Sequence, residues 1–540
     1  MTSMLPLLAL AVWAAEAPLI LPHPDSALLN EILELKPAAG HHFNAEAPQK
    51  CGGWRADEVL ARRFRCRLRT EGNVAVLVSV CDDAKTFCRQ ESFTVSVRKT
   101  SKAAAKSSPL KAAPKGGRRA PAGFIDNEPA RARALARREG RLLLIDFYGI
   151  WCPPCNELEE HSYPDPAFQK ASAEFVKIGL DADAETSFDW KARFKVGGYP
   201  TLIVADAELR ELGRVVGARS GPALAAFLDS VKAYKDEPVE EAERLIAKGG
   251  DAATDLRRLR VAHWRAERGE FDETFKLLKG MTQPAAKREL LLARREKARR
   301  EDDAAAGLAA TQELALSFPK APEFAEWAAA LAEEDKPAAQ ALREQVRRSV
   351  AEWSASPALG ESGYSAADLL SYEASFFEAL GSTEDARGLY SQAADAYAAQ
   401  AAKSPLKVPR SANLGRADAL KSSGRLSEAE SLYDLLVKAY PEEFTFCYDY
   451  ASVLKDLGRA EAAYPYAVRA AAAGYGDNWL RAVRLKAELE LKLGRAAEAA
   501  KTVDEALAQT ELPKSSAVRT GRYLLTLRRL RGNISAAQRP

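Results

Sequence analysis

Residues 142–155 read LLLIDFYGIWCPPC, and this stretch decides the fold of the chain around it. The first seven residues are apolar except for Asp146, which is the pattern of a strand buried inside a sheet. A short turn follows, and Cys152 and Cys155 then stand with two prolines between them. A cysteine pair at this spacing, where a strand passes into a helix, indicates thiol–disulfide chemistry.

The predicted helix that follows the strand gives the two cysteines different roles. Cys152 would begin that helix, where the helix dipole and the free N–H groups stabilise a thiolate. We expect Cys152 to be the exposed nucleophile and Cys155, one turn further on, to be more buried. Cys155 would attack the mixed disulfide formed by Cys152 and release the product. Burying an unpaired carboxylate inside an apolar strand costs free energy. We therefore expect Asp146 to lie near Cys155 and to accept its proton.

Helical and strand patterns alternate on both sides of this stretch. Helices are predicted at 127–138 and 222–232, strands at 174–180, 201–205 and 214–216, and a helical turn or two at 188–194. A static disulfide and half of a zinc site are the other interpretations of the cysteine pair. The chain has no second CxxC and no spaced histidine pair to complete a zinc site.

This βαβ-then-ββα order with CPPC at the first strand-to-helix junction resembles the thioredoxin family. The resemblance covers about 110 residues, and we place the domain at residues 123–235. It implies a cis peptide bond before Pro200, facing the cysteines, and backbone groups of Tyr199 that bind an extended partner chain. Trp151, Tyr199 and Pro200 are therefore the predicted substrate-binding residues.

Within that family, the run LLLIDFYGIWCPPCNELEEHSYPDPAFQKA is similar to the C-terminal domain of the DsbD family of periplasmic disulfide reductases. The similarity implies that Asp146 is the buried acid of that domain and that Glu159 is a second acid near the cysteines. A solvated helix carboxylate is the other interpretation of Glu159. The two prolines depart from that family's usual dipeptide, so its redox potential is not transferred.

Residues 38–99 have the pattern of a small β-sandwich. Two β-branched runs, VAVLVSV at 74–80 and SFTVSVR at 92–98, predict a hairpin with Cys81 and Cys88 near its end. Cysteines that face one another across a hairpin can form a disulfide. Cys51 and Cys66 then remain to pair as a structural disulfide for a small core.

The cysteine hairpin also resembles the N-terminal domain of DsbD, an immunoglobulin-like sandwich with a redox-active pair on such a hairpin. Six residues separate Cys81 from Cys88 here, where that family has five. The resemblance implies a second exchanging pair, and a purely structural disulfide is the alternative. His41 and His42 precede this region, but adjacent residues in a strand point apart, so we expect no metal site.

Three further segments surround these domains. Residues 1–17 contain an apolar run, LPLLALAVW, before a small-x-small site, which resembles a secretory signal peptide without the usual basic start. Residues 18–36 are expected to be an extended arm with a short helix near 28–35. Residues 100–122 are rich in Lys, Arg, Pro and Ala, without acids, and predict a flexible linker that spans roughly 25 Å. No later segment is apolar for long enough to predict a transmembrane span.

Residues 240–535 show helical periodicity with internal repeats. The segments that begin at Gly424, Gly458 and Gly494 recur at spacings of 34 and 36 residues, and Gly269 and Gly381 fit the same frame. Each glycine lies between two amphipathic helices, and a small residue five positions later allows close helix packing. The pattern resembles the tetratricopeptide repeat. Between residues 280 and 360 the spacing degrades, and a plain helical bundle is the alternative there.

Together these patterns predict a multidomain chain of 540 residues: a small β-sandwich, an α/β thioredoxin fold and an all-α solenoid. The net charge of +3 does not indicate a nucleic-acid-binding protein. We expect an exported thiol–disulfide oxidoreductase whose partners are protein thiols and disulfides, with a further protein bound by the repeats and no cofactor or metal. The alternatives are a scaffold in which the thioredoxin-like domain is a docking module, and a holdase that repairs its clients.

Overall fold

The computed structural model describes residues 20, 26–28, 32–38, 40–47, 49–61, 63–83, 87–98, 120–250, 254–301, 303–441, 443–510 and 520–537. The chain divides into two compact units, Met1–Thr100 and Ser101–Pro540. The predicted signal segment at 1–17 and nearly all of the predicted linker at 100–122 lie outside the described residues.

The first unit consists of β-strands in two sheets. Its strands are β1 (Ser26–Leu28), β2 (Ile32–Leu35), β3 (His41–Phe43), β4 (Lys50–Cys51), β5 (Trp54–Arg55), β6 (Glu58–Leu60), β7 (Arg63–Arg67), β8 (Gly72–Asp82) and β9 (Cys88–Arg98). One sheet has the order β1-β9-β8-β4-β5, with β3 also paired to β8, and the other has the order β2-β7-β6. β1 runs parallel to β9, and the other pairs of these described strands are antiparallel.

The two sheets share one apolar core. Alternate residues of the long strand β8 point into it, as the pattern VAVLVSV predicts: Val74, Val76, Val78 and Val80 are buried. Leu33 of β2 and Phe64 of β7 meet them from the smaller sheet. The disulfide between Cys51 of β4 and Cys66 of β7 joins the two sheets inside this core. It therefore stabilises a domain too small to rely on apolar burial alone.

The helix predicted near residues 28–35 is wrong. This segment forms β2, which pairs with β7, and β1 just before it pairs with β9. Leu33 and Leu35, two residues apart, both point into the core, so the spacing that was assigned to a helix is the period of a strand. The β-domain accordingly begins before residue 38.

The second unit opens with an α/β domain. Its elements are β10 (Ile125–Asp126), α1 (Pro129–Glu139), β11 (Leu143–Tyr148), α2 (Pro153–Glu157), α3 (Pro166–Ser172), β12 (Val176–Asp181), α4 (Phe188–Phe194), β13 (Thr201–Ala205), β14 (Glu211–Val216) and α5 (Gly221–Lys232). The sheet order is β10-β12-β11-β13-β14. β11 is parallel to β12 and antiparallel to β13. This is the βαβ-then-ββα order that the sequence predicts.

The apolar run of residues 142–148 becomes the central strand because it can be buried on both faces. Every residue of β11 is buried. Leu143, Ile145 and Phe147 pack into the core on the side of α1, while Leu144 packs into the core on the side of α3 and α5. The carboxyl end of β11 therefore lies in the middle of the sheet, and the CPPC segment begins there.

The remainder of the second unit is helical. Its helices are α6 (Val239–Lys248), α7 (Asp255–Glu267), α8 (Phe271–Leu278), α9 (Pro284–Glu301), α10 (Ala304–Ser317), α11 (Phe324–Glu334), α12 (Lys336–Gln340), α13 (Arg343–Ser354), α14 (Leu359–Ser362), α15 (Ala366–Ala379), α16 (Thr383–Lys403), α17 (Arg410–Ser423), α18 (Leu426–Ala439), α19 (Phe444–Asp456), α20 (Ala460–Ala473), α21 (Gly476–Lys492), α22 (Ala496–Gln509) and α23 (Thr520–Ala537). From α15 onward, neighbouring helices pack in the order of the chain. This is the helical repeat array that the sequence predicts.

The repeated glycines and alanines have the roles that their spacing indicates. Gly424 ends α17 with a φ of 84°, a left-handed conformation that glycine adopts without steric cost. Ala429, Ala463 and Ala499, five residues after the glycines of three repeats, are almost fully buried where helices approach one another. Among the described residues, no helix is both long and apolar enough to span a membrane.

Candidate active site

The CPPC segment closes the turn between β11 and α2. Cys152 is the N-cap of α2 and has an extended backbone, and Pro153 occupies the first helical turn, where its missing N–H costs nothing. Cys152 and Cys155 form a disulfide bond. The N–H of Cys155 donates to Sγ of Cys152 at 3.2 Å. The helix N-terminus thus points a hydrogen-bond donor at the sulfur that the sequence assigns as nucleophile.

The predicted exposure of Cys152 is wrong for the full chain. Cys152 and Cys155 are each only 3% exposed. α2 packs against α17, and both cysteines belong to a continuous apolar cluster with buried residues of α15 to α21. Helices more than 200 residues further along the chain cover the face of the thioredoxin-like domain on which the cysteines lie, and the residues around CPPC carry no signal of these helices.

Two of the predicted substrate-binding side chains, Trp151 and Tyr199, pack against the apolar cluster that contains both cysteines, and Pro200 follows Tyr199 in the chain. The peptide bond between Tyr199 and Pro200 is cis. The Trp151 ring meets the Tyr199 ring edge-on, with centroids 5.6 Å apart, and its Nε1–H donates to Asp183 at 2.7 Å. Asp183 therefore positions the tryptophan that precedes Cys152, a role that the sequence argument did not assign.

Asp146 is buried inside the central strand, as its apolar neighbours predict. In the register of the sheet it lies between Gly179 of β12 and Leu202 of β13. Ala120 fills the space that a side chain at Gly179 would need, since an added Cβ would lie 2.6 Å from the Cβ of Ala120. The assignment of Asp146 as the proton acceptor of Cys155 stays a prediction.

Glu159 is held by an ion pair with the helical region. Glu159 lies in the π-helical segment Leu158–Ser162 that continues α2, and its carboxylate is 3.0 Å from the Arg410 guanidinium. Its side chain is partly buried, so the solvated carboxylate that we considered does not describe it. The role of Glu159 as a second acid for the cysteines stays a prediction.

Glu160, which the sequence argument missed, is the most strongly bound acid of this segment. Its side chain is 0% exposed. One carboxylate oxygen accepts the backbone N–H of Arg410 at 2.8 Å and its Nε–H at 3.0 Å. The other accepts the N–H and the Oγ–H of Ser411 at 3.1 and 2.9 Å. A carboxylate thus binds the N-terminus of α17, where the helix dipole favours negative charge.

Arg410 connects this carboxylate to two others. Its guanidinium is also 3.0 Å from the carboxylate of Glu443. Burial alone would lower the pKa of Arg410, but the carboxylates of Glu159, Glu443 and Glu160 outweigh it and raise the pKa. The guanidinium therefore stays charged although it is buried. The sequence signal was weak: Arg410 and Ser411 begin a predicted repeat helix, and Glu160 is one of two adjacent acids.

Two further acids of the thioredoxin-like domain meet the start of α21. The hydroxyl of Tyr475 donates to Asp181, and Nδ2 of Asn478 donates to Asp183 at 2.6 Å. Burial raises the pKa of Tyr475 well above its usual value, and the charge of Asp181 adds to this effect. Between these two residues, Gly476 approaches Asp183 so closely that an added Cβ would lie 2.6 Å from its carbonyl oxygen.

These residues of the helical region form one surface, which we call the repeat edge. Its members lie at or just before the N-termini of the alternate helices α17, α19 and α21: Arg410, Ser411, Thr445, Tyr475, Gly476 and Asn478. The Thr445 hydroxyl donates to the carbonyl oxygen of Ile150, two residues before Cys152, at 3.4 Å. A cavity of about 90 Å³ remains where Tyr199 and Lys191 approach Asp477 of α21.

The second cysteine pair lies at the end of the β8–β9 hairpin in the first unit. Cys81 and Cys88 are opposite each other in the register and form a disulfide bond, with Cys81 buried and Cys88 exposed. His42 pairs with Cys81 across β3 and β8, and its Nδ1 is 3.2 Å from a carboxylate oxygen of Asp83. No cluster of metal-ligating side chains occurs among the described residues.

A buried cysteine pair at a strand-to-helix junction, a cis peptide bond before Pro200 and a five-stranded mixed sheet are together the features of a thioredoxin domain. Residues 132–230 match the family model described as Thioredoxin. A 100-residue match is 36% identical to the thiol:disulfide interchange protein DsbD of Cronobacter sakazakii and covers 18% of this chain. It covers 17% of that protein, so this chain spans less than a fifth of the curated relative's length.

Two solved structures are similar to different parts of the chain. A thioredoxin from Thermus thermophilus is 27% identical, with a TM-score of 0.18, over 19% of this chain and 84% of that one. A tetratricopeptide repeat protein from Parabacteroides merdae is 16% identical, with a TM-score of 0.21, over 45% of this chain and 99% of that one. The match to the family model and the helices themselves show that the chain combines a thioredoxin domain with a long region of repeated helices.

Proposed function

We propose that this protein is an exported oxidoreductase that exchanges disulfides with protein substrates through Cys152 and Cys155. The observation that carries the proposal is the Cys152–Cys155 disulfide at the start of α2, in the same domain as the cis peptide bond before Pro200. In the reduced enzyme, the Cys152 thiolate attacks a substrate disulfide and forms a mixed disulfide, releasing one substrate thiolate. Cys155 then attacks Sγ of Cys152, which releases the second substrate thiolate.

The exchange moves two electrons from the cysteine pair to the substrate and leaves the Cys152–Cys155 disulfide. Asp146 takes the proton from Cys155 as it attacks. Trp151, Tyr199 and Pro200 hold the substrate chain beside the cysteines. An external dithiol protein restores the reduced pair, and the partners' redox potentials set the direction of the net reaction.

The proposal has three finer parts. Cys81 and Cys88 form a second exchanging pair, which the exposure of Cys88 supports. The helical repeats bind a partner or a substrate protein, as the stacked helices of solenoids do. The protein acts in the periplasm or another exported compartment, which the six disulfide-bonded cysteines support.

Insulin reduction and the refolding of scrambled ribonuclease test the proposal on the full chain. We expect wild-type protein to be active in at least one assay and Cys152→Ser to be inactive in both. Cys155→Ser should accumulate mixed disulfides in a periplasmic extract. Cys447 is a free cysteine, but we expect it to form no mixed disulfides, because it is buried and burial raises the pKa of its thiol. A wild-type protein that is inactive in both assays, with no trapped partner, contradicts the proposal.

The scaffold alternative has one observation in its favour, which is the covered position of Cys152. A scaffold would keep its partners when both CPPC cysteines are changed to serine. The enzyme would lose its mixed disulfides. Cys81→Ser/Cys88→Ser separates the two roles of the hairpin pair, since unchanged exchange activity would reduce that pair to a structural disulfide.

A further inference from the structure

The repeat edge occupies the side of the thioredoxin domain on which the disulfide lies. It contacts the domain on both sides of the CPPC segment: Thr445 binds the carbonyl of Ile150 before the cysteines, and Arg410 and Ser411 bind Glu160 after them. Cys152 and Cys155 are each only 3% exposed, so little of either residue is open to an attacking thiolate. A protein substrate is far larger than a small thiol and is hindered more strongly.

The contacts between the helical region and the thioredoxin domain follow a regular pattern. Alternate helices present their starts, and acids of the thioredoxin domain accept hydrogen bonds there: Glu160 at α17, and Asp181 and Asp183 at α21. Negative side chains thus meet the positive ends of the helix dipoles. Because the repeats set the spacing of these helix starts, the repeat edge binds the active-site face as a unit.

Asp183 shows that the repeat edge reaches the substrate-binding side chains themselves. The same carboxylate oxygen accepts Nε1–H of Trp151 at 2.7 Å and Nδ2–H of Asn478 at 2.6 Å. Trp151 in turn packs against Tyr199. The helical region therefore holds the residues to which the proposed function assigns substrate binding.

We propose that the repeat edge is an autoinhibitory cover and that the thioredoxin domain exchanges disulfides only after it separates from this surface. This inference rests on the proposed function, because the cover would regulate the same cysteine pair. Covered and open forms are in equilibrium, and a substrate binds the open form alone. A protein that displaces the repeat edge from α2 activates the enzyme by mass action.

Part of the contact is the apolar cluster that contains both cysteines, and part is polar; the polar part suits a cover that opens. Hydrogen bonds to charged groups hold it, and water replaces them when the surfaces separate. The buried charges of Glu160 and Arg410 gain hydration at the same time, which offsets part of the interaction that is lost. A contact made only of apolar side chains would lack this compensation.

The test measures access to the disulfide without a protein substrate. Oxidised full-length protein is mixed with dithiothreitol, samples are quenched in acid and alkylated, and mass spectrometry follows the peptide that contains Cys152 and Cys155. Dithiothreitol supplies the two electrons and becomes a cyclic disulfide, while the cysteine pair becomes a dithiol. A cover that must open first predicts a rate that reaches a plateau as dithiothreitol increases.

Variants of the repeat edge should accelerate this reduction. For Asn478→Ala and Glu160→Gln, each of which weakens a hydrogen bond to a charged group, we expect reduction about 10- to 100-fold faster at equal dithiothreitol. The matched control is Glu273→Gln, whose ion pair with Lys276 is exposed on α8. It should be reduced at the wild-type rate. Hydrogen exchange in β11 should be equal in all variants, which separates opening of the cover from unfolding.

Equal reduction rates in wild type and in both variants, linear in dithiothreitol, would overturn the inference. If Glu160→Gln does not fold, Asn478→Ala alone decides, because it removes a neutral side chain that bonds Asp183 and Arg481 and leaves both ionic partners in place. The two proposals fail separately. A plateau for wild type, with no insulin reduction and no trapped partner even for an Asn478→Ala variant that reacts faster with dithiothreitol, supports the cover and contradicts the oxidoreductase. Insulin reduction by wild type, with a disulfide that reacts at the same rate as in the variants, supports the oxidoreductase and contradicts the cover.

Discussion

The carboxylate of Glu160 is buried against the N-terminus of a helix 250 residues further along the chain, where it accepts two hydrogen bonds from Arg410. This relationship joins the segment that continues the CPPC helix to the helical region. α17 therefore lies against the segment that continues the CPPC helix. The residues next to Glu160 and to Arg410 in the sequence do not indicate that the two side chains meet.

Loss of the Arg410 guanidinium should destabilise the second unit. Arg410→Met leaves the Glu160 carboxylate buried without its cation, which costs about 3–5 kcal/mol of folding free energy. Differential scanning calorimetry should show a lower melting temperature. Arg244→Met is the matched control, since its ion pair with Glu241 is on the surface and is worth about 1 kcal/mol or less. Equal melting temperatures for the two variants would contradict this account of Glu160.

Gly476→Ala should loosen the repeat edge more than an equivalent change elsewhere. The φ of Gly476 is 55°, and an added Cβ would lie 2.6 Å from the Asp183 carbonyl oxygen. Gly458→Ala is matched, because Gly458 also has a positive φ, 76°, but no atom within 4 Å of an added Cβ. Both variants lose about 1 kcal/mol from backbone strain. Only Gly476→Ala should also expose the CPPC disulfide. Reduction by dithiothreitol, followed by alkylation of the thiols, should then be faster in Gly476→Ala than in Gly458→Ala.

Glu373 on α15 should make the stability of the helical region depend on pH. Burial raises the pKa of the Glu373 carboxyl to about 7, and the charge of Asp385 adds to this effect against that of Arg347. Between about pH 4.5 and 7 the folded protein therefore binds more protons than the unfolded chain. Stability from this group is complete below that window and is lost as the pH rises through it.

Glu373→Gln removes this dependence because an amide does not ionise. Relative to wild type, we expect the variant to gain roughly 1–3 kcal/mol between pH 5 and pH 8, measured by urea unfolding at both values. Glu384→Gln, a change of an exposed carboxylate on α16, is the control and should show no such gain. If Glu373→Gln shows the same pH dependence of stability as wild type, another group is responsible for that dependence.

The two disulfides of the β-domain should differ in their reduction. Cys88 is exposed at the hairpin end, whereas Cys51 and Cys66 are buried between the sheets. Reduction of the buried pair requires opening of the core, so the Cys81–Cys88 bond should be reduced at least about tenfold faster in dilute dithiothreitol. Mass spectrometry of alkylated peptides measures both rates in one sample. Equal rates would show that the core of this domain opens as readily as the hairpin end.

Local patterns predicted the thioredoxin domain and the repeats because their signals are short-range. The apolar run before CPPC has the length and composition of a strand buried on both faces, and the cysteines follow it directly in the chain. Gly424 and Gly458 each lie at the end of a helix and have a positive φ, a backbone conformation that glycine adopts readily. Each such feature needs the chemistry of a few neighbouring residues and no distant partner.

The error at residues 28–35 has a related cause. Apolar residues alternate over too few positions for the period of a strand to be distinguished from that of a helix. Pairing with β7, about 30 residues later, decides between them. Short segments take their structure from their partners, and those partners are not visible in the segment itself.

By itself the sequence determined that a thioredoxin domain precedes a helical repeat region, that Cys152 and Cys155 lie where a strand passes into a helix, and the period of the helices. Only the tertiary structure decided that Cys152 is covered and that Glu160 and Asp183 hold the cover. The physical reason is that burial and hydrogen bonding across 250 residues depend on how completed surfaces meet. A carboxylate next to a helix start in space has no signature in the residues beside it.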